Sequence, residues 1–156
     1  MANEWSRAKK DFEPDGALRD IYVLDSTIED WDKFVANIRD RAISFQYSVN
    51  GQPAPLPSSA LLVFDKRVEA APLLAFSTGS VLFTCHFFAS NEIECSFDPR
   101  EVESESALAE VTDFMVSIRA VLKKDVLLTP ENMRESPILK CEAKTALVVY
   151  CEPTWR

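Results

Sequence analysis

Three short runs between residues 73 and 97 constrain the fold of this chain more than any other part of it. Leu73 to Ser77, Ser80 to Phe88 and Glu92 to Phe97 read as strands, the last alternating polar with apolar residues at the period of a half-buried strand. Turn chemistry separates them, at Thr78-Gly79 and at Ala89-Ser90-Asn91. A two-residue first loop sets Phe76 opposite Val81 and Leu74 opposite Phe83. A three-residue second loop sets Phe87 opposite Ile93, Cys85 opposite Cys95 and Phe83 opposite Phe97. Both registers send the same apolar set inward, and a slip of one residue would break that agreement. The reading is a three-strand antiparallel meander with one buried side.

The flanking segments supply two helices and further strands. Ala17 to Leu24 alternates as a strand, and Ser26-Thr27-Ile28-Glu29 has capping-box spacing. Ile28, Trp31, Phe34 or Val35, and Ile38 then recur at helical spacing to about Arg41. Ser44 to Val49 reads as a strand ending at the Asn50-Gly51 turn, and Pro53, Pro55 and Pro57 make an extended connector. Residues 58–67 fit either a short helix or a buried strand. A long helix starts near Ser104 or Ser106 and carries Leu108, Val111, Phe114 or Met115, Ile118, and Val121 or Leu122 on one stripe. Val126 to Leu128 reads as a short strand, and Ile138 to Cys141 with Thr145 to Cys151 as a closing hairpin. The expected fold is α+β: a mostly antiparallel sheet with a central meander (about 73–97), covered on one face by two amphipathic helices (about 28–41 and 105–123). Residues 1–16 are expected to form a mobile arm, with Trp5 and Phe12 as points of attachment, and residues 17–156 a single domain.

Charge narrows the function classes. Of a net −8, residues 92–113 contribute −7: Glu92, Glu94, Asp98, Glu101, Glu103, Glu105, Glu110 and Asp113 stand against Arg100 alone. Such a field repels phosphate, which disfavours nucleic acid as a partner. Only three glycines are present, too few for a glycine-rich phosphate loop. No apolar stretch approaches the roughly 18 residues of a membrane helix. Met1 to Gly16 is polar, unlike a leader or an anchor, so a cytoplasmic location is expected. Cys85, Cys95, Cys141 and Cys151 match no zinc pattern, and one histidine cannot complete one, so neither metal nor cofactor is expected.

Three constellations carry chemistry. His86 falls opposite Glu94 on the outward side of the meander, where a carboxylate could orient an imidazole as a general base. A His and a carboxylate paired on an open strand face is ordinarily a solvated cross-strand contact, and that is the reading preferred for this pair. Cys85 and Cys95 face each other inward, a placement that suits inert core thiols better than a redox switch. The acidic stretch is the unusual feature. Glu92, Glu94, Asp98, Glu101 and Glu103 are candidates for docking a basic protein surface, while Glu103 and Glu105 also complement a helix N-terminus. The stretch lacks the glycine-hinged, Asp-rich loop of a calcium site.

The leading expectation is a small acidic binding protein, a monomer or homodimer, that holds a basic protein partner at this strand-to-helix corner. In size and charge it resembles bacterial immunity proteins, which neutralise cationic toxin domains. The alternative is a hydrolase or transferase using His86 and Glu94 in a cleft under the proline-rich connector.

Overall fold

Local sequence chemistry accounts for where each element begins. In the computed structural model, which describes residues 4–67 and 69–151, helix α1 (Glu4–Ala8) runs into a 3-10 turn at Lys9–Phe12. Strand β1 (Arg19–Leu24) leads to helix α2 (Ile28–Arg41), capped by Thr27 in a reciprocal capping box with Asp30. That is one residue beyond the Ser26–Glu29 pairing expected, because the Ser26 hydroxyl donates instead to the Ser90 carbonyl. Strands β2 (Ser44–Val49) and β3 (Gln52–Pro53) join through Asn50 and Gly51, both at positive φ, the geometry an Asn-Gly hairpin demands. Residues 60–66 resolve as helix α3 (Ala60–Lys66), with the Ser59 side chain accepting from the Leu61 amide.

The meander follows as β4 (Pro72–Ser77), β5 (Leu82–His86) and β6 (Glu92–Phe97). Helix α4 (Glu105–Leu122) starts at the Ser104 cap and ends at Lys123 in the left-handed conformation. Strands β7 (Val126–Pro130), β8 (Leu139–Cys141) and β9 (Val148–Tyr150) close the chain. All pair antiparallel in one nine-stranded sheet, ordered β3-β2-β4-β5-β6-β1-β7-β8-β9. Among the described residues no helix is long and apolar enough to cross a membrane.

Helices α2 and α4 cover one face of this sheet, as the apolar stripes required. Phe114 of α4 lies 4.7 Å from Phe83 and 5.2 Å from Phe76, while Trp31 of α2 stacks on Phe87 at 5.0 Å. The Trp31 indole N–H donates to the Ser90 carbonyl at 3.0 Å, so its polar edge is not stranded in the core. Cys85 faces Cys95 as expected, and both are buried and free. The described part of the N-terminal segment lies against the fold, with Phe12 as a point of attachment. Ala8 and Phe12 are buried, and Phe12 stacks on Phe97 at 6.2 Å. The Arg19 Nε donates to the Asp11 carbonyl, which ties the segment to β1.

Two registers differ from the expectation, each for a local reason. In the first hairpin Leu74 faces Cys85 and Phe76 faces Phe83, a shift of two residues. The turn is longer because Glu110 of α4 accepts from the Ser80 amide at 2.7 Å and from its hydroxyl, so Val81 belongs to the loop. A shift of two keeps every side chain on its face. In the second hairpin Ala89, not Phe88, faces Glu92. One extra residue therefore sits on the β5 side beyond the Cys85–Cys95 pair, a bulge that ends the regular ladder there.

One ion pair fastens the helix layer. The Lys124 Nζ, just past α4, reaches the Asp30 carboxylate at the start of α2 at 2.6 Å and the Asp25 carbonyl at 2.7 Å. Burial pushes the Asp30 carboxyl up, but the Lys124 contact and the capping bonds outweigh it and hold it below its ordinary value. Lys124→Met keeps the aliphatic stem and removes the charge. It should cost about 1 kcal/mol by urea denaturation; an unchanged midpoint would show the pair contributes nothing.

Candidate functional site

The face of the sheet away from the helices carries the candidate site. Alternation along β1 sends Asp20 and Tyr22 to that side, and alternation along β6 sends Glu92, Glu94 and Ser96 there. Because β1 pairs antiparallel with β6, Asp20 lies opposite Ser96 and Tyr22 opposite Glu94. The Asp20 carboxylate is only 1% exposed and accepts three hydrogen bonds. They come from the Ser96 hydroxyl at 2.8 Å, the Tyr22 phenol at 3.0 Å and the Asn132 backbone N–H at 2.7 Å. The last bond brings residues 131–137 across the sheet as a strap. From the strap, Arg134 pairs with Glu92 at 2.6 Å and lies over the Tyr22 ring at 5.7 Å.

Beside the strap opens a cleft of about 560 Å³, lined by Leu24, Asp25, Phe88, Glu92, Glu94 and Arg134 among others. Glu94 is half-buried and forms no ion pair among the described residues. Burial pushes its carboxyl up to about 7, the charges of Asp20 and Glu92 add to the rise, and Arg134 offsets only part of it. The Tyr22 phenol is pushed well up by burial and then by Asp20 and Glu94. Positive charge is scarce in this cleft.

The structure divides the sequence-derived docking set. Glu92 and Glu94 share the cleft. Asp98, Glu101 and Glu103 lie past the other end of β6, a strand of six residues, and so roughly 20 Å from Glu92 at about 3.4 Å per residue. Two of those three have local partners. Asp98 caps the 3-10 turn Pro99–Glu101 and pairs with Arg100 at 2.7 Å, whose hydrogen bonds hold its carboxyl below the ordinary value. Glu101 accepts from the Leu82 amide at 3.2 Å. Glu103 is exposed at the approach to α4.

His86 and Glu94 lie just beyond the last regular pair of the β5–β6 ladder. The bulge ends the β5–β6 ladder at Cys85–Cys95, and the His86 ring stacks on Phe88 at 5.0 Å. No hydrogen bond or ion pair joins His86 to Glu94 among the described residues, and His86 is not among the cleft-lining side chains. Nor does the proline-rich connector cover it. That segment lies along α2 on the helix side, where Arg39 donates to the Leu56 and Pro57 carbonyls. The Cys95 thiol is pushed well up by burial, the reverse of an activated nucleophile. No group of three or more His, Cys, Asp or Glu among the described residues is placed to hold a metal ion.

Sequence reasoning passed over Asp20 and Arg134. The alternation of Leu18, Asp20 and Tyr22 already placed Asp20 and Tyr22 on one side of β1. What it did not show was that β6, some seventy residues later, lies alongside, nor that the strap crosses both.

No family model matches this chain, and no curated protein matches it. Among solved structures, the chain is similar to one in the crystal structure of the toxic C-terminal tip of CdiA from Pseudomonas aeruginosa in complex with immune protein. The TM-score is 0.47 and the identity 8%, over 80% of this chain and 94% of that chain. A similarity of this size does not bear on residues or role.

Proposed function

We propose that this chain is a small binding protein that docks a basic protein partner, with Glu92 and Glu94 in the cleft and Asp98, Glu101 and Glu103 as a second carboxylate group past the far end of β6. The observation that carries the reading is the cleft's uncompensated charge. Asp25, Glu92 and Glu94 line a cavity whose one cationic lining residue, among the described residues, is Arg134, and the charge of buried Asp20 adds to the field at Glu94. Gathering carboxylates at a partly desolvated site is unfavourable, and here the cost falls on Glu94, held near neutrality. A guanidinium or ammonium from another protein relieves it, and complementary charge also speeds association and excludes wrong partners. An immunity-type role, in which a small acidic protein covers a cationic toxin domain, is the form of this activity that size and charge fit best.

Titration with an arginine-rich peptide, and an acidic peptide as control, tests the reading. Affinity should weaken with added salt and strengthen as pH rises through about 7, because the bound cation favours ionised Glu94. The double reversal Glu92→Lys, Glu94→Lys should weaken it by roughly tenfold or more, about 1.4 kcal/mol. Salt-independent binding, or none, would remove the proposal.

A further inference from the structure

Strands β2, β4 and β5 contain no Asp, Glu, Lys or Arg on either face; residues 42–64 and 70–91 lack all four. Soluble surfaces usually carry charge at about a quarter to a third of positions. The inner sides of these strands lie under α2 and α4, but the outer sides do not. There, Leu73 lies opposite His86 and Ala75 opposite Thr84, with Gln46 of β2 beside Ala75. Leu82 and Phe88 are about half exposed on the same side. Charge returns abruptly at the next strand, with Glu92 and Glu94 of β6. An uncharged centre against a charged margin is the composition of a protein–protein interface, whose core is depleted in charged residues and whose rim is polar.

Area and charge decide the occupant. Three strands about 4.8 Å apart and roughly 18 Å long present a footprint on the order of 250 Å². A stable complex needs about 800 Å² per partner. A second copy of this chain, net −8, would have to dock on too small a patch against its own repulsion. A basic protein covers the uncharged face and the adjoining cleft together. We infer that the outer face of β2, β4 and β5 is the centre of the docking surface, seating an uncharged, apolar-centred patch on a basic protein whose arginine or lysine enters the Glu92–Glu94 cleft alongside. This rests on the basic-partner reading and narrows it. The Asp98 end of β6, where Asp98 is paired with Arg100 and Glu101 with the Leu82 amide, becomes its margin.

Two small probes, added separately to the isotope-labelled full chain, test the inference by amide and carboxyl chemical shifts. Isopropanol stands for the apolar centre and methylguanidinium for the partner's cation. Isopropanol should shift Leu73, Ala75, Thr84 and His86 well above other exposed positions, and methylguanidinium should shift Glu92 and Glu94. Thr84→Lys should abolish the isopropanol response and leave the methylguanidinium response intact; Gln46→Lys serves if Thr84→Lys disturbs the fold. Isopropanol shifts that are absent, scattered or on another face overturn the inference while leaving the charged cleft standing. Methylguanidinium that spares Glu92 and Glu94 overturns the basic-partner reading itself. Dimerisation by light scattering that Thr84→Lys removes would assign the face to a second copy and overturn the occupant named here.

Discussion

Asp20→Ala is expected to destabilise the fold by about 3–4 kcal/mol, the largest effect of any single change at the site. The carboxylate is buried and satisfies a hydroxyl, a phenol and a backbone amide at once. Truncation leaves all three donors without an acceptor, at roughly 1–3 kcal/mol each. The total stays below their sum because residues 131–137 can lift and admit water to the Asn132 amide. Asp20→Asn should cost less, about 2 kcal/mol, since its carbonyl still accepts while its NH2 group faces a donor. Urea denaturation reads the stability, and hydrogen exchange at Asn132 reads the strap. A loss under about 1 kcal/mol with Asn132 still protected would show that something else holds the strap.

Glu94→Gln should act in the opposite direction and only above acid pH. The folded-state carboxyl titrates at about 7, above its ordinary 4.5, so the folded state holds the proton that the unfolded chain releases. Below pH 4.5 both states are protonated and the group leaves stability unchanged. Between 4.5 and about 7 the unfolded chain ionises first, and stability falls as pH rises. Above 7 the penalty is constant. The full shift would correspond to about 3.4 kcal/mol, and screening at a half-exposed site reduces it to about 2. Glu94→Gln removes this dependence, so the variant should be more stable than the parent at pH 8 and equal to it at pH 4. Matching stability–pH curves for the two proteins would refute the assignment. Asp20→Asn should bring the titration of Glu94 down, because one of the charges that raises it is gone.

Much of the architecture was legible because local and tertiary preferences agree. Helix α2 shows its stripe in Trp31, Phe34, Val35 and Ile38, and the meander shows its buried side twice over. What escaped were features fixed by residues distant in sequence. Glu110 lengthens the turn before β5, a hold that no pattern within the hairpin encodes. The regular β5–β6 ladder ends at Cys85–Cys95 and Ala89, not Phe88, faces Glu92, and nothing in the alternation signals that extra residue. The docking set was read as one acidic corner because its members are close in sequence. A strand lies between them, and extension along β6 carries Glu92 and Asp98 apart.

The sheet's two borders also restrict how the molecule can meet another. At one border β3 is two residues long and contains Pro53, which has no N–H to offer. At the other, β9 has three residues and lies beside α1, with Arg7 over the Tyr150 ring. Among the described residues, neither β3 nor β9 is itself a long ribbon of free amides and carbonyls onto which a foreign strand would zip, although β3 covers only Ser48 and Val49 of β2. Sideways growth through β3 or β9 is thereby discouraged, which favours recognition by side chains on the flat of the sheet.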